Sequence, residues 1–206
     1  MQSDHYLALA SPAEFRLKVE RSDFLGLAFP CASDDEFFAV LQRVEKQYFD
    51  ATHHCWAFRI FADQASGLGP RASDAGEPHG SAGKPILSAI EGAQLFDTGL
   101  VVVRWFGGVK LGTGGLSRAY RETAAETLRA ANIVERLLYD TYDIEVPFDS
   151  VSVIYRLLDP PHIVRKGEAF GETNVFTVDV RRSRASEIEK TLTDRRLTFS
   201  RATTPR

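Results

Sequence analysis

Residues 100–103 are four successive apolar residues, of which three are β-branched valines. A run of this kind predicts a strand that is buried on both faces. A glycine-rich turn follows it, and from Leu116 onwards small or apolar residues recur at helical spacing. The positions at this spacing are Ala119, Tyr120, Thr123, Ala124, Thr127, Leu128 and Ala131. The pattern therefore predicts a strand, a glycine-rich turn and a helix in succession.

Ahead of this stretch, the hydrophobic pattern predicts a hairpin and a capped helix. Short apolar or alternating runs at 17–20 and 24–29 indicate the hairpin. Ser33 and Glu36 have the spacing of a capping box, and the residues behind them form one apolar stripe. The stripe consists of Phe37, Val40, Leu41, Val44 and Tyr48. This segment is the clearest helix in the chain.

A strand and a long loop separate that helix from the central stretch. Residues 52–61 alternate as a strand does, which places His53 and His54 on opposite faces. We therefore expect no metal site there. Residues 63–85 are rich in glycine, proline, serine and aspartate, and loops of this length are commonly functional or disordered. Pro85 suits the first turn of a further helix.

Several polar side chains of the long loop, together with one from the preceding strand, are candidates for a polar cleft. They are His53, Asp74, Glu77, His79 and Ser81. The alternative is a mobile surface loop without a function of its own, which the composition alone favours.

The last third of the chain has a pattern of its own. Strands are predicted at 139–146 and 197–201, helices at 151–158 and 186–192, and a hairpin from 163–170 and 173–180. The order β-α-β-β-α-β is that of ferredoxin-like domains. The sequence therefore predicts an α+β protein of two domains, residues 1–138 and residues 139–206.

Composition narrows the class of protein. The chain has 206 residues, is 44% hydrophobic and carries a net charge of −3. This charge argues against a protein that coats nucleic acid indiscriminately, although it leaves a local basic patch open. Two cysteines are too few for a disulfide framework. With no apolar run long enough for a membrane span and no signal-peptide pattern at the start, we expect a cytoplasmic protein without a membrane partner.

The predicted helix behind the glycine-rich turn has an unusual charge pattern at its start. Helix N-termini favour acidic residues, yet this one has none in its first turn. Cations surround it instead: Lys84, Arg104, Lys110, Arg118 and Arg121. We therefore expect an external anion, held by these side chains and by the amides of Gly112, Gly114 and Gly115. The alternative is that Arg118 pairs with Glu122 on a solvated helix face.

Known phosphate-binding motifs are not met by these glycines. Residues 112–117 approach the dinucleotide fingerprint, but Ser117 stands where its third glycine belongs. Gly83 and Lys84 end like a Walker loop, but Pro85 follows them. We therefore expect no nucleotide cofactor, and the sequence identifies no catalytic residue.

Three segments, in this order, resemble the IMPACT family and within it the bacterial YigZ-type members. They are residues 51–59 (ATHHCWAFR), 73–85 (SDAGEPHGSAGKP) and 102–120 (VVRWFGGVKLGTGGLSRAY). The resemblance implies a first domain like the second domain of a small-subunit ribosomal protein, and a second domain like the last domain of elongation factor G. The eukaryotic member is a regulator of the kinase that controls translation initiation. The resemblance thus implies a link to translation.

The chain departs from the family pattern at two positions. Ala75 stands where the family usually has a second acidic residue, and His79 where it has a small one. If two adjacent carboxylates bind a metal in relatives, the resemblance implies that this chain is impaired in that function.

Three functions are compatible with the sequence. The first is a binding protein that contacts RNA or ribosome-associated factors, with a role in translation regulation. The contact would be made through a basic cleft formed by the cations and glycine amides around the helix start. Candidate stacking groups are His53, Trp56, Trp105, Phe106 and Tyr120. The second is an enzyme, a hydrolase or transferase acting on a small phosphorylated or carboxylated metabolite, with Asp74 or Glu77 as general base. The third is a protein-interaction regulator whose loop only builds structure.

Overall fold

The computed structural model describes residues 4–61 and 69–202, so residues 63–68 of the predicted loop lie outside the described residues. The chain divides into two compact units. One is Leu7–Glu135, and the other combines Met1–Tyr6 with Arg136–Arg206. These units differ from the predicted domains chiefly in the first six residues, which belong with the second unit. Whether each domain folds alone stays a prediction.

The unit Leu7–Glu135 is built on a five-stranded antiparallel sheet with strand order β2-β3-β6-β4-β5. Its strands are β2 Ala13–Val19, β3 Ser22–Pro30, β4 His53–Arg59, β5 Arg71–Ser73 and β6 Thr98–Trp105. Its helices are α1 Asp34–Gln47, α2 Gly83–Gly92 and α3 Gly112–Arg129. The predicted hairpin, capped helix and apolar strand are therefore present.

Helices cover both faces of this sheet. Val101 and Val103 of β6 belong to the apolar cluster formed with α1, whereas Leu100 and Val102 belong to the cluster formed with α2 and α3. All four side chains are fully buried. The prediction of a strand buried on both faces is confirmed, because β6 packs between two layers of helices.

The start of α3 corrects one prediction. The helix begins at Gly112, four residues before Leu116. Gly114 and Gly115 therefore lie in the first turn of the helix and not in the preceding loop. The error arises because glycine is a poor helix former, so the apolar periodicity becomes visible only at Leu116.

The second unit has the predicted ferredoxin-like topology. Its antiparallel sheet has strand order β11-β8-β10-β9, with β8 Tyr139–Val146, β9 Ile163–Ala169, β10 Asn174–Arg181 and β11 Thr198–Ala202. Its helices are α4 Val151–Leu157 and α5 Ala185–Asp194. Tyr142, Phe176 and Leu192 are among the fully buried side chains of its core.

The sequence predicts none of three short strands. One is β5 Arg71–Ser73 within the long loop, and the others are β1 His5–Leu9 and β7 Ile133–Leu137, which pair as a two-stranded sheet. Within the described residues, no helix is long and apolar enough to cross a membrane.

Candidate functional site

The candidate site lies at the edge of the five-stranded sheet where β6 ends and where β3 and β4 begin. Arg104 near the end of β6 lies opposite Phe24 on one side and His53 on the other. The chain then leaves the sheet through residues 106–111 and enters α3. The long loop also lies at this edge, where Glu77 accepts hydrogen bonds from Arg104 and Tyr120.

Glu77 and Arg104 form a buried ion pair at this edge. Arg104 Nη1 donates to Glu77 Oε1 at 2.6 Å, and the two side chains are 5% and 3% exposed. Tyr120 Oη donates to the same carboxylate oxygen at 2.7 Å, while Arg104 Nη2 donates to Ser22 Oγ at 3.2 Å. Arg104 Nε is buried and has no hydrogen-bond partner among the described residues.

The expectation that Arg104 helps to hold an external anion therefore needs correction. Its charge is already compensated by Glu77, and the guanidinium is almost completely removed from solvent. The sequence could not reveal this, because Glu77 is 27 residues away and lies in an irregular loop.

His53 and Cys55 extend the polar cluster along β4. His53 Nδ1 lies 2.9 Å from the carbonyl oxygen of Ala75, so this nitrogen carries the donated proton, and Nε2 lies 4.0 Å from Glu77 Oε2. Cys55 Sγ is within hydrogen-bond distance of Asp74 O and Tyr120 Oη. Burial raises the pKa of the Cys55 thiol to about 12, so the thiol stays protonated and is a poor nucleophile.

Asp74 holds the start of α2. Its carboxylate accepts the backbone amides of Gly80, Ala82 and Gly83 at 2.7, 2.9 and 2.8 Å. Burial raises the pKa of this carboxyl, but the amide hydrogen bonds outweigh burial, and the pKa lies below its usual value. Asp74 therefore caps α2 from outside the helix. Its carboxylate is occupied by amides and has a lowered pKa, so it is poorly suited to the general-base role proposed from the sequence.

The remaining loop residues have different environments. Ser81 is buried and donates to Pro78 O at 2.6 Å, whereas the His79 side chain is fully exposed, with Nδ1 3.9 Å from Asp74 Oδ2. Ala75 has a φ of +44°, a left-handed conformation that is uncommon for alanine. Ser81 and Asp74 are thus structural, and His79 lies at the surface.

The start of α3 differs from the other two helix starts of this unit. Ser33 caps α1, whose first turn holds three acidic residues, and Asp74 caps α2. At α3, the residue before the helix is Leu111, and no described side chain caps the helix or places an acidic group in its first turn. Of the three helix starts in this unit, the start of α3 is therefore the one whose backbone amides have no anionic or capping side chain from the described residues.

Four basic side chains near the starts of α2 and α3 are exposed: Lys84, Lys110, Arg118 and Arg121. In the described part of the chain, none of them has a hydrogen-bond or ion-pair partner, so the alternative Arg118–Glu122 pair is not formed. Arg118 Nη1 lies 3.8 Å from the position that a Cβ atom would occupy on Gly114. Its guanidinium therefore extends back over the first turn of α3.

Among the candidate stacking groups, Phe106 has the exposed ring. Its exposed fraction is 46%, whereas Tyr120 is fully buried. Trp56 packs in the cluster against α1, and the Trp105 ring packs against Tyr48 while its Nε1 donates to Asp50. The sequence does not indicate that Tyr120 bonds to Glu77 or that Ser22 bonds to Arg104, because these partners are distant in the chain.

The residues that the structure describes contain no cluster of potential metal ligands. No group of three or more histidine, cysteine, aspartate or glutamate side chains there has the geometry to hold a metal ion.

Comparisons with known proteins identify the family. The Impact N-terminal domain family matches residues 20–128, which include the whole candidate site. An IMPACT family member from Thermus thermophilus is 44% identical over 70% of this chain and 76% of its own length. IMPACT family member YvyE from Bacillus subtilis is 37% identical over 65% of this chain, which spans 60% of that relative.

Two further similarities extend over more of the chain. IMPACT family member YigZ from Escherichia coli is 31% identical over 75% of this chain and 76% of its own length. A crystal structure described as a hypothetical protein superimposes with a TM-score of 0.71 at 26% identity and covers 96% of this chain and 97% of that one. This chain therefore belongs to the IMPACT family.

Proposed function

We propose that this protein is a cytosolic binding protein that contacts RNA, alone or within ribosome-associated factors, and takes part in translation regulation. The basic cleft would bind the phosphates through Lys84, Lys110, Arg118 and Arg121, together with the first amides of α3. Both cysteines are buried free thiols, which fits a reducing compartment.

The observation that carries this proposal is the uncapped start of α3. A helix N-terminus has unpaired amides and a partial positive charge, and an anion stabilises it. No described side chain supplies that anion, while Arg118 extends over the first turn and adds positive charge. A phosphate from a partner would satisfy both the amides and the guanidinium.

The enzyme alternative receives less support from the same residues. Asp74 accepts three amides, and Glu77 is paired with Arg104 beneath the surface, so neither carboxylate is available to take a proton from a substrate. Cys55 is protonated because burial raises its pKa to about 12. The binding function therefore uses the exposed groups, and the buried groups support them.

Arg118→Ala tests the proposal directly. We expect this change to weaken binding of a labelled RNA by about 1–3 kcal/mol, as the loss of a charge-assisted contact does. The matched control is Arg43→Ala, which removes an exposed arginine from α1 on the opposite face of the sheet. The measurement is fluorescence anisotropy with single-stranded and duplex RNA at two salt concentrations, with inorganic phosphate as a competitor.

The salt dependence adds a second readout. RNA held through several phosphates loses affinity steeply as salt rises, and the slope should be smaller for Arg118→Ala than for Arg43→Ala. If the wild-type protein binds neither RNA nor phosphate, the proposal is wrong. If both variants lose affinity equally, the binding is non-specific and the start of α3 is not the site.

A further inference from the structure

Phe106 is an exposed aromatic residue at the edge of the candidate site. Its ring is 46% exposed although it follows a strand in which residues 100–103 are fully buried and Trp105 is partly buried. Val109, three residues further on, is 36% exposed, and Lys110 beside it is also exposed. An apolar ring therefore lies between the sheet and the cationic start of α3.

The backbone that carries Phe106 is fixed on both sides of the ring. The Phe106 amide donates to Thr52 Oγ1 at 3.0 Å, and the Gly107 amide donates to Ser22 Oγ at 3.3 Å. A Cβ atom on Gly107 would overlap the backbone carbonyl of Arg21, so only glycine permits this close approach. The ring is therefore presented from an anchored backbone, which lowers the entropy lost when a ligand packs on it.

Arg104 supports the ring from inside the protein. Its guanidinium carbon lies 5.4 Å from the centroid of the Phe106 ring and equally 5.4 Å from that of Phe24. Because the buried Glu77 holds this guanidinium, the cation–π contact helps to fix the ring. The buried ion pair thus connects to an exposed aromatic surface.

We infer that Phe106 stacks against an unpaired base, so that the ligand of the cleft is a single-stranded stretch of RNA. This inference rests on the proposed function and specifies its ligand. An aromatic ring beside exposed cations matches a nucleotide, which joins an aromatic base to a phosphate. In a duplex the bases are stacked on one another, which leaves no free base face for Phe106 along the helix.

Substitution of Phe106 separates stacking from simple apolar contact. Phe106→Leu should weaken binding of single-stranded RNA about tenfold because it removes the aromatic face, whereas Phe106→Tyr should keep most of the affinity. The matched control is Phe148→Leu, which removes an 89% exposed ring from the second unit and should leave binding unchanged. Thermal unfolding of each variant verifies that the fold is retained.

The ligands complete the test. We measure the Kd of each protein for single-stranded RNA, for the same length of abasic strand and for duplex RNA. The inference expects wild type to prefer the strand with bases over the abasic strand, and expects Phe106→Leu to abolish that preference while binding the abasic strand as wild type does. Equal affinity of wild type and Phe106→Leu for single-stranded RNA would overturn the stacking role and leave the proposed function intact. Failure of wild type to bind any of the three ligands would overturn both.

Discussion

At the scale of single residues, the site depends on a charged pair that is almost completely removed from water. The Glu77 and Arg104 side chains are 3% and 5% exposed, and Tyr120 adds a hydrogen bond to the same carboxylate oxygen. Glu77→Gln removes the negative charge and leaves the arginine buried without compensation. We expect this variant to lose about 3–5 kcal/mol of unfolding free energy, as broken buried pairs do.

Urea denaturation followed by tryptophan fluorescence measures this loss in the relevant unit, since Trp56 and Trp105 both lie in Leu7–Glu135. The control is Glu122→Gln on the exposed face of α3, which should change stability by less than about 0.5 kcal/mol. A loss of less than about 1 kcal/mol for Glu77→Gln would contradict the importance of the pair.

Asp74 predicts a dependence of stability on pH. The fold lowers the pKa of its carboxyl below the usual 3.8. The ionised form therefore stabilises the protein fully at pH values above 3.8. This stabilisation is lost as the pH falls through the lowered pKa. Asp74→Asn should therefore be less stable than wild type at neutral pH, by about 1 kcal/mol, and the gap should close in strong acid.

Denaturation curves from neutral pH into strong acid, below the lowered pKa of Asp74, measure that gap. Asp23→Asn, which changes a half-exposed carboxylate near Lys18, should show little difference from wild type at any of these pH values. A gap between wild type and Asp74→Asn that is absent at pH 7, or that widens in acid, would contradict the capping role.

At the scale of elements, the packing of α3 against β3 requires a glycine. A Cβ atom at Gly26 would overlap Thr127 Oγ1 on the helix. Gly26→Ala should therefore destabilise the unit by about 1–3 kcal/mol through overpacking. Gly92→Ala near the end of α2 has open space around it and should be neutral or slightly stabilising. Equal stability of the two variants would show that the helix moves away without cost.

Helices and strands whose sequence signals lie close together in the chain were predictable from the sequence. The strand β8 spans Tyr139–Val146 as its alternation predicts, and α1 begins behind Ser33 because the cap and its acidic partner are close in the chain. The sequence does not indicate β1, β5 and β7, because each is short and depends on its pairing partner. Gly112 begins α3 without any apolar signal, which explains the shifted start.

The sequence identifies Glu77, Arg104 and Asp74 as candidate site residues but not the contacts they make. It does not reveal that Glu77 pairs with Arg104 or that Asp74 caps α2. Those contacts join residues separated by 27 and by up to 9 positions through an irregular loop. Exposure decides which groups face a ligand, and exposure follows from the complete fold.

At the scale of the whole molecule, the two compact units lead to a prediction about fragments. A chain comprising residues 7–135 contains one complete sheet and its two apolar clusters. We expect it to fold alone and to unfold cooperatively, as compact domains do. Circular dichroism and hydrogen exchange measure this, and a disordered fragment would contradict the division.

Residues 1–6 provide a control for the boundary. Asp4 accepts hydrogen bonds from Arg181 and Ser183 within the second unit. A fragment of residues 1–135 should therefore be no more stable than the fragment 7–135. A clear gain in stability from the extra six residues would place them with the first unit.

If a phosphate-bearing RNA binds at the uncapped start of α3, amide chemical shifts measured during an RNA titration will report the contact at that helix start. We predict that the largest shifts of the ¹⁵N-labelled protein occur at Phe106, Lys110, Gly112, Gly114 and Arg118. Amides of α1, on the opposite face of the sheet, should hardly change. Shifts concentrated on α1 or in the second unit, or no shifts at all at saturating RNA, would show that RNA does not bind at the start of α3.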